Sequence, residues 1–186
     1  MPHVPLAVSD DFRGKSSRGL YGDAIEEIDW SVGQVVSELN SLNLLQETLI
    51  VFLSDNGPEV RAELESDVGS AGALRGGKYS NWEGGVRVPA IFYFSGVIPS
   101  KTISKGVFSL MDIFPTVAAL AGGTGAESYR LNGVNILPLL LSDGNDYGTS
   151  SSYFYYSLTS LQAVRLDEWK LVLPRIKNSP YLLWLG

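Results

Sequence analysis

Cysteine is absent from the 186 residues and histidine occurs once. The lack of cysteine excludes disulfides, thiolate metal sites and a cysteine nucleophile from this chain. No apolar run approaches the roughly 18 residues of a membrane-spanning helix; stretches such as Val88–Phe94 are strand-sized. Met1-Pro2-His3-Val4-Pro5 shows neither the basic nor the apolar region of a signal peptide. Asn40-Ser41-Leu42 and Asn178-Ser179-Pro180 both miss the N-glycosylation pattern. Lysine and arginine number 14 against 20 acidic residues and form no basic cluster, which argues against a nucleic-acid partner.

What is present suits a folded α/β domain. Hydrophobic residues make up 45% of the chain, enough for a core, and the length favours one domain or a domain with a small appendage. The net charge of −6 is modest for this length, so disorder is not expected. Ile25, Ile28, Val32, Val35, Val36 and Leu39 recur at three and four, predicting an amphipathic helix from Asp23, with Asp23 and Glu26 as an acidic cap. Thr48–Leu53 is an unalternating apolar run that suits a buried parallel strand, and Ser54-Asp55-Asn56-Gly57-Pro58 makes a polar turn at its carboxyl end. Ligands of open α/β sheets sit at that edge.

A glycine-rich loop is expected over 61–78, a second buried strand over 86–94, and a second helix over 107–120, with Pro115 demanding a late start or a kink. Three strand-like runs near 152–156, 162–165 and 170–173 predict a small antiparallel meander. The division is therefore a larger part, 1–141, and a C-terminal subdomain, 142–186. Pro180–Gly186 is apolar for a chain end. The four tryptophans, Trp30, Trp82, Trp169 and Trp184, read as packing residues.

Three features could carry chemistry. Asp55 and Asn56 offer a carboxylate and an amide oxygen from adjacent positions, donors that suit a hard cation such as Ca2+ rather than zinc. Asp-Asn-Gly also makes ordinary turns, and two ligands do not complete a calcium shell. Leu74-Arg75-Gly76-Gly77-Lys78, followed by Trp82-Glu83-Gly84-Gly85-Val86-Arg87-Val88-Pro89, lets backbone approach a ligand closely. There Lys78 could place a compact positive charge on an oxyanion or a leaving oxygen. The segment is not a phosphate-binding loop, because Tyr79 follows Lys78. His3 could protonate a leaving group near neutral pH, although a lone histidine near a terminus is more often simply exposed. The acidic residues Asp23, Glu26, Glu27 and Asp29 are better explained by a solvated helix face and capping than by a metal site.

Taken together, the Ser54–Pro58 turn, the Leu74–Lys78 segment and the Trp82–Pro89 segment closely resemble the sulfatase family. Similar too are His3-x-Pro5, Tyr21-Gly22-Asp23 with Glu27-x-Asp29, Met111-Asp112-Ile113-Phe114-Pro115-Thr116 and Leu131-Asn132-Gly133-Val134. The order and spacing look most like the arylsulfatase A type. The resemblance implies an alkaline-phosphatase-like α/β/α sandwich fragment with a small C-terminal antiparallel sheet. It also implies hydrolysis of a sulfate ester by a formylglycine, made from cysteine or serine, whose hydrate attacks sulfur while Ca2+ and basic groups stabilise the sulfuryl oxygens. By that resemblance Asp55 and Asn56 match calcium ligands, Lys78 matches the lysine on the sulfate, and His3 matches the histidine on the ester.

The departures matter as much. The family's Cys/Ser-x-Pro-x-Arg maturation motif is absent, and so is the Asp-Asp pair that the resemblance places upstream as further calcium ligands. This chain alone is therefore expected to be inactive, its activity calling for an amino-terminal half. Two other readings stand: a noncatalytic sulfatase-like remnant or binding module, and another phosphoester hydrolase of the alkaline phosphatase superfamily, which a single histidine disfavours. A sulfate ester is the expected small-molecule partner, with no nucleic acid and no membrane span. The resemblance suggests a lysosomal, secreted or periplasmic setting.

Overall fold

The computed structural model describes residues 2–60, 69–123, 130–142 and 152–174. The fold is α/β, with α1 (Gly19–Ser41), β1 (Ile50–Leu53), α2 (Glu83–Val86), β2 (Ala90–Tyr93), α3 (Ile113–Leu120), α4 (Leu137–Leu141), β3 (Ser152–Ser157), β4 (Ser160–Leu166) and β5 (Trp169–Val172). β1 and β2 pair in a two-stranded sheet, and β3, β4 and β5 form an antiparallel meander. This is the expected fragment of an α/β/α sandwich with a small C-terminal antiparallel sheet. Two compact units emerge, one containing α1 and Phe52–Ala90, the other containing Leu49–Val51 and the described residues from Ile91 onward.

In the first unit α1 begins four residues before Asp23, with Arg18 as an N-cap that makes no side-chain cap bond. The expected acidic cap gives way to a different use of the carboxylates. Asp23 is buried, 2% exposed, and accepts the Gly14 and Ser16 amide protons at 2.7 Å each. Glu27 accepts the Ser9 amide proton at 3.0 Å. The loop before the helix turns on Ser9, whose carbonyl accepts from Phe12 and Arg13 at 3.1 Å. Folding that loop back leaves its amide protons in need of acceptors, and the helix carboxylates meet the need. The Ser16 and Gly14 bonds hold the Asp23 carboxyl below its ordinary pKa, against the opposing effect of burial.

The strands differ from expectation in extent and cover. The second does not start at Val86, because Glu83–Val86 turns into α2, closed by Arg87 N donating to Glu83 O at 2.8 Å. Pro89 cannot donate to a ladder, so pairing begins at Ala90. Phe52, Ile91 and Tyr93 are exposed rather than buried. Two strands give each other few neighbours to cover such side chains.

In the second unit a turn at Leu110–Asp112, closed by a reciprocal Ser109 and Asp112 capping box, delivers the chain into α3. Pro115 falls in the first turn of α3, where its missing N–H costs nothing. Asp112, 2% exposed, is the polar centre of this unit. Its carboxylate accepts from Ser109 N at 2.7 Å, Val134 N at 2.8 Å and the Tyr153 hydroxyl at 3.2 Å. Thr116 donates to the Asp112 carbonyl at 2.6 Å and accepts from Ile136 N at 3.0 Å. Burial first, and the Asp112 charge second, push the Tyr153 hydroxyl up to about 12.

The meander register pairs Phe154 with Val164 and Val164 with Leu171, and pairs Leu166 with Trp169. Strand alternation therefore turns Tyr153 and Tyr155 to one face, where Ala163 is fully buried and Lys170 Nζ lies 3.9 Å from the Tyr155 ring centroid. Phe154, Leu166, Leu171 and Trp169 share the other face, and Trp169 is 77% exposed. The packing role expected for the tryptophans thus fails at Trp169, and Trp30 is also exposed, its ring tilted 55° to that of Phe12 with centroids 5.7 Å apart. Trp184, the apolar end from Pro180, most of the polar loop from Ser142 and much of the 61–78 loop lie outside the described residues.

Candidate functional site

The turn that follows β1 is shaped by its own polar groups. Ser54 Oγ donates to Asn56 O at 2.9 Å, and Asn56 Nδ2 donates to Gly57 O at 2.9 Å. With its amide nitrogen committed, Asn56 has its side-chain oxygen left as a donor for a ligand. Asp55 is exposed and, among the described residues, its carboxylate has no ion-pair or hydrogen-bond partner.

Backbone contacts fasten this turn to the glycine-rich segments. Gly57 N donates to Gly85 O at 2.9 Å, Lys78 N donates to Pro58 O at 2.7 Å, and Gly84 N donates to Arg75 O at 2.8 Å. Buried Ser80 closes the intervening turn with its N and Oγ on Gly77 O, at 3.0 and 2.8 Å. The approach is so close that a Cβ on Gly57 would overlap the Gly84 carbonyl, and one on Gly84 would overlap the Gly76 carbonyl. Here glycine is required by contact between main chains, a tighter demand than turn-making.

Lys78 is half-buried and anchored by its backbone, with its ammonium 5.3 Å from the Tyr79 ring centroid. Tyr79 holds φ 72°, a left-handed conformation uncommon for a bulky residue and one that clusters at functional sites. Arg75, three positions earlier, reaches over the Trp82 ring, with its guanidinium carbon 3.8 Å from the ring centroid. Neither the strained Tyr79 nor the Arg75 stack was foreseen from sequence; the pairing of a cation with Trp82 across a two-glycine turn was the available signal.

The structure thus brings Asp55, Asn56 and Lys78 onto one laced backbone. His3 is exposed, and its Nδ1 donates to the carbonyl of its own neighbour, Val4, at 2.9 Å. No described hydrogen bond joins His3 to the other three. Among the described residues no group of three or more His, Cys, Asp or Glu is arranged to hold a metal. The two oxygen donors at Asp55 and Asn56 nevertheless fit a hard divalent cation approached from one side. Chemically, the arrangement offers oxygen ligands and a positive charge on an anchored backbone, the requirements for holding an anionic ester near a cation.

Comparison with known proteins gives the same direction. The family model described as Sulfatase matches residues 1–123. The chain is 45% identical over 167 residues to the steryl-sulfatase of Homo sapiens, covering 88% of this chain and 28% of that protein. It is 39% identical over 168 residues to the N-acetylgalactosamine-6-sulfatase of Canis lupus familiaris, covering 90% of this chain and 31% of that one. The crystal structure of PsFucS1 sulfatase from Pseudoalteromonas sp. superposes with a TM-score of 0.82 at 30% identity, over 91% of this chain and 34% of that chain. The chain spans less than a third of the length of the two sequence relatives.

Proposed function

Because the chain belongs to the sulfatase family, we propose that it forms one side of a calcium-dependent sulfuric ester hydrolase site of the arylsulfatase type. The observation that carries this reading is the fastening of the Asp55–Asn56 turn to Lys78, through Lys78 N on Pro58 O and Gly57 N on Gly85 O. Asp55 Oδ and Asn56 Oδ1 would hold the Ca2+ ion, which when bound supplies positive charge to the sulfuryl oxygens. Lys78 binds the same sulfate and stabilises charge on the leaving oxygen. His3 protonates that oxygen as it departs.

The nucleophile, a formylglycine, has to come from outside these 186 residues, since the chain contains no cysteine and no Ser-x-Pro-x-Arg. The chain alone therefore binds but does not turn over substrate, and catalysis requires a complementary amino-terminal segment. In this proposal residues 1–141 serve the catalytic domain, 142–186 a C-terminal subdomain, and the working compartment is lysosomal, secreted or periplasmic. The missing nucleophile also favours a second reading, a noncatalytic sulfatase-like binding module.

Two measurements test the proposal. Intact mass and peptide mapping of the native gene product are expected to show a longer polypeptide bearing formylglycine; a native product of 20.2 kDa would leave the binding module as the better account. For the 186-residue chain, calorimetry with phenyl sulfate should show Ca2+-dependent binding that Asp55→Asn and Lys78→Gln each weaken by about tenfold. Binding indifferent to both substitutions would reject the site.

A further inference from the structure

Arg75 has a role that the ester chemistry leaves unused. Its backbone is clamped, with the carbonyl accepting from Gly84 N at 2.8 Å, and the left-handed Gly76 (φ 77°) turns the chain directly after it. A Cβ on Gly76 would press on Ser80 Oγ and the Trp82 side chain, so the turn that presents Arg75 to Trp82 is closely built. The guanidinium is exposed, lies 3.8 Å from the Trp82 centroid, and forms no ion pair or hydrogen bond among the described residues. A planar cation held over an indole ring can still donate from its rim, in the fork geometry that matches a carboxylate, sulfate or phosphate with two parallel bonds.

Lys78 stands three residues away, so its Cα is within about 11 Å of that of Arg75 even at full extension, and the Gly76 turn shortens the separation. Two neighbouring cations without an ion pair among the described residues suit a ligand with two negative groups better than a ligand with one. Lys78 is a compact charge on a flexible stem, able to follow a sulfuryl group; Arg75, held over the Trp82 ring, presents a planar fork that selects by shape.

We propose that Arg75, seated on Trp82, is a specificity-determining residue that binds a second anionic group of the substrate beside the sulfate held by Lys78. The favoured substrates are then sulfate esters that also carry a carboxylate, a phosphate or a further sulfate. This inference rests on the sulfate-ester reading of Lys78.

The test compares phenyl sulfate with 3-carboxyphenyl sulfate as ligands of the 186-residue chain, by calorimetry at low ionic strength with Ca2+ present. The wild-type chain is expected to bind the carboxylated probe about tenfold more tightly, as one charge-assisted fork would give. Arg75→Gln should erase that preference while leaving phenyl sulfate within about twofold of wild type. Arg75→Lys should retain part of the preference, and Trp82→Leu should reduce it by freeing the guanidinium. A preference unchanged in Arg75→Gln overturns the proposal, as does an equal loss for both probes, which would put Arg75 on the same sulfate as Lys78. Lys78-dependent phenyl sulfate binding without any preference rejects the role of Arg75 alone; no binding of either probe rejects it together with the reading beneath it.

Discussion

Replacing Gly57 by alanine tests the main-chain lacing of the site most directly. The added Cβ would overlap the Gly84 carbonyl and come 2.8 Å from the Gly84 carbonyl carbon, both backbone atoms that no rotamer change can move. Separating them costs about 1–3 kcal/mol for overpacking. It also strains or breaks the Gly57 N to Gly85 O bond, worth about 0.5–1.5 kcal/mol, so the expected loss is about 2–4 kcal/mol. At a urea dependence of about 1–3 kcal/mol per molar, the unfolding midpoint should fall by roughly 1–2 M. Gly33 in α1 is the control: a Cβ there meets nothing within 4 Å, and alanine in a helix interior should add about 0.5–1 kcal/mol. Urea titrations followed by circular dichroism measure both. A Gly57→Ala midpoint equal to wild type, or a Gly33→Ala loss of similar size, would refute the claim that contact between main chains demands glycine at Gly57.

Three further outcomes are expected. Tyr79→Gly should raise the melting temperature through a gain of about 1 kcal/mol, because it relieves a left-handed φ at an exposed side chain; an unchanged or lower melting temperature counts against strain at that residue. Tyr153 holds its proton up to about 12 in the folded chain against 10.0 when free. The unfolded chain thus loses the proton first, and stability falls as pH rises through that interval; Tyr153→Phe should flatten the fall, and an identical alkaline slope in the variant would contradict the upward shift that burial and Asp112 impose. Asp23 is shifted the other way, below 3.8, so its contribution is present above that value and disappears as pH drops through the native pKa. Acid titration of Asp23→Asn should show a shallower loss of helix signal than wild type.

The parts legible in sequence were those with a strong local pattern. The α1 repeat, the run before Asp55 and the short alternating strands of the meander each announce themselves within a dozen residues, and the glycine-rich segments marked the site. What escaped depends on partners distant in the chain. Asp23 looked like a cap because its spacing to Glu26 is that of a cap; only the returning Ser9–Ser16 loop turns it into an acceptor for Gly14 and Ser16. Asp112 carried no chemical signal beyond a family motif, since its partners Val134 and Tyr153 lie 22 and 41 residues away. α4 was missed because five residues are too few to display a period. The extra length assigned to the second strand arose from reading Val86 as its start, where Pro89 and the α2 turn delay pairing. Arg75 within a loop and Trp82 as a packing residue carry no special signal singly, and their joint meaning exists only once the two-glycine turn brings the guanidinium over the ring.

The bond from Tyr153 to Asp112 bears on the order in which the second unit assembles. The meander needs only short connections between its strands, so its hairpins can close on the microsecond scale. Seating it against Asp112 closes a loop of 41 residues, and each doubling of loop length adds about 0.6 kcal/mol of entropy cost. Docking the meander on Asp112 therefore carries a larger loop-closure cost than closing either hairpin. Substitutions at Asp112 should weaken that docking while leaving the ladder bonds of the hairpins untouched.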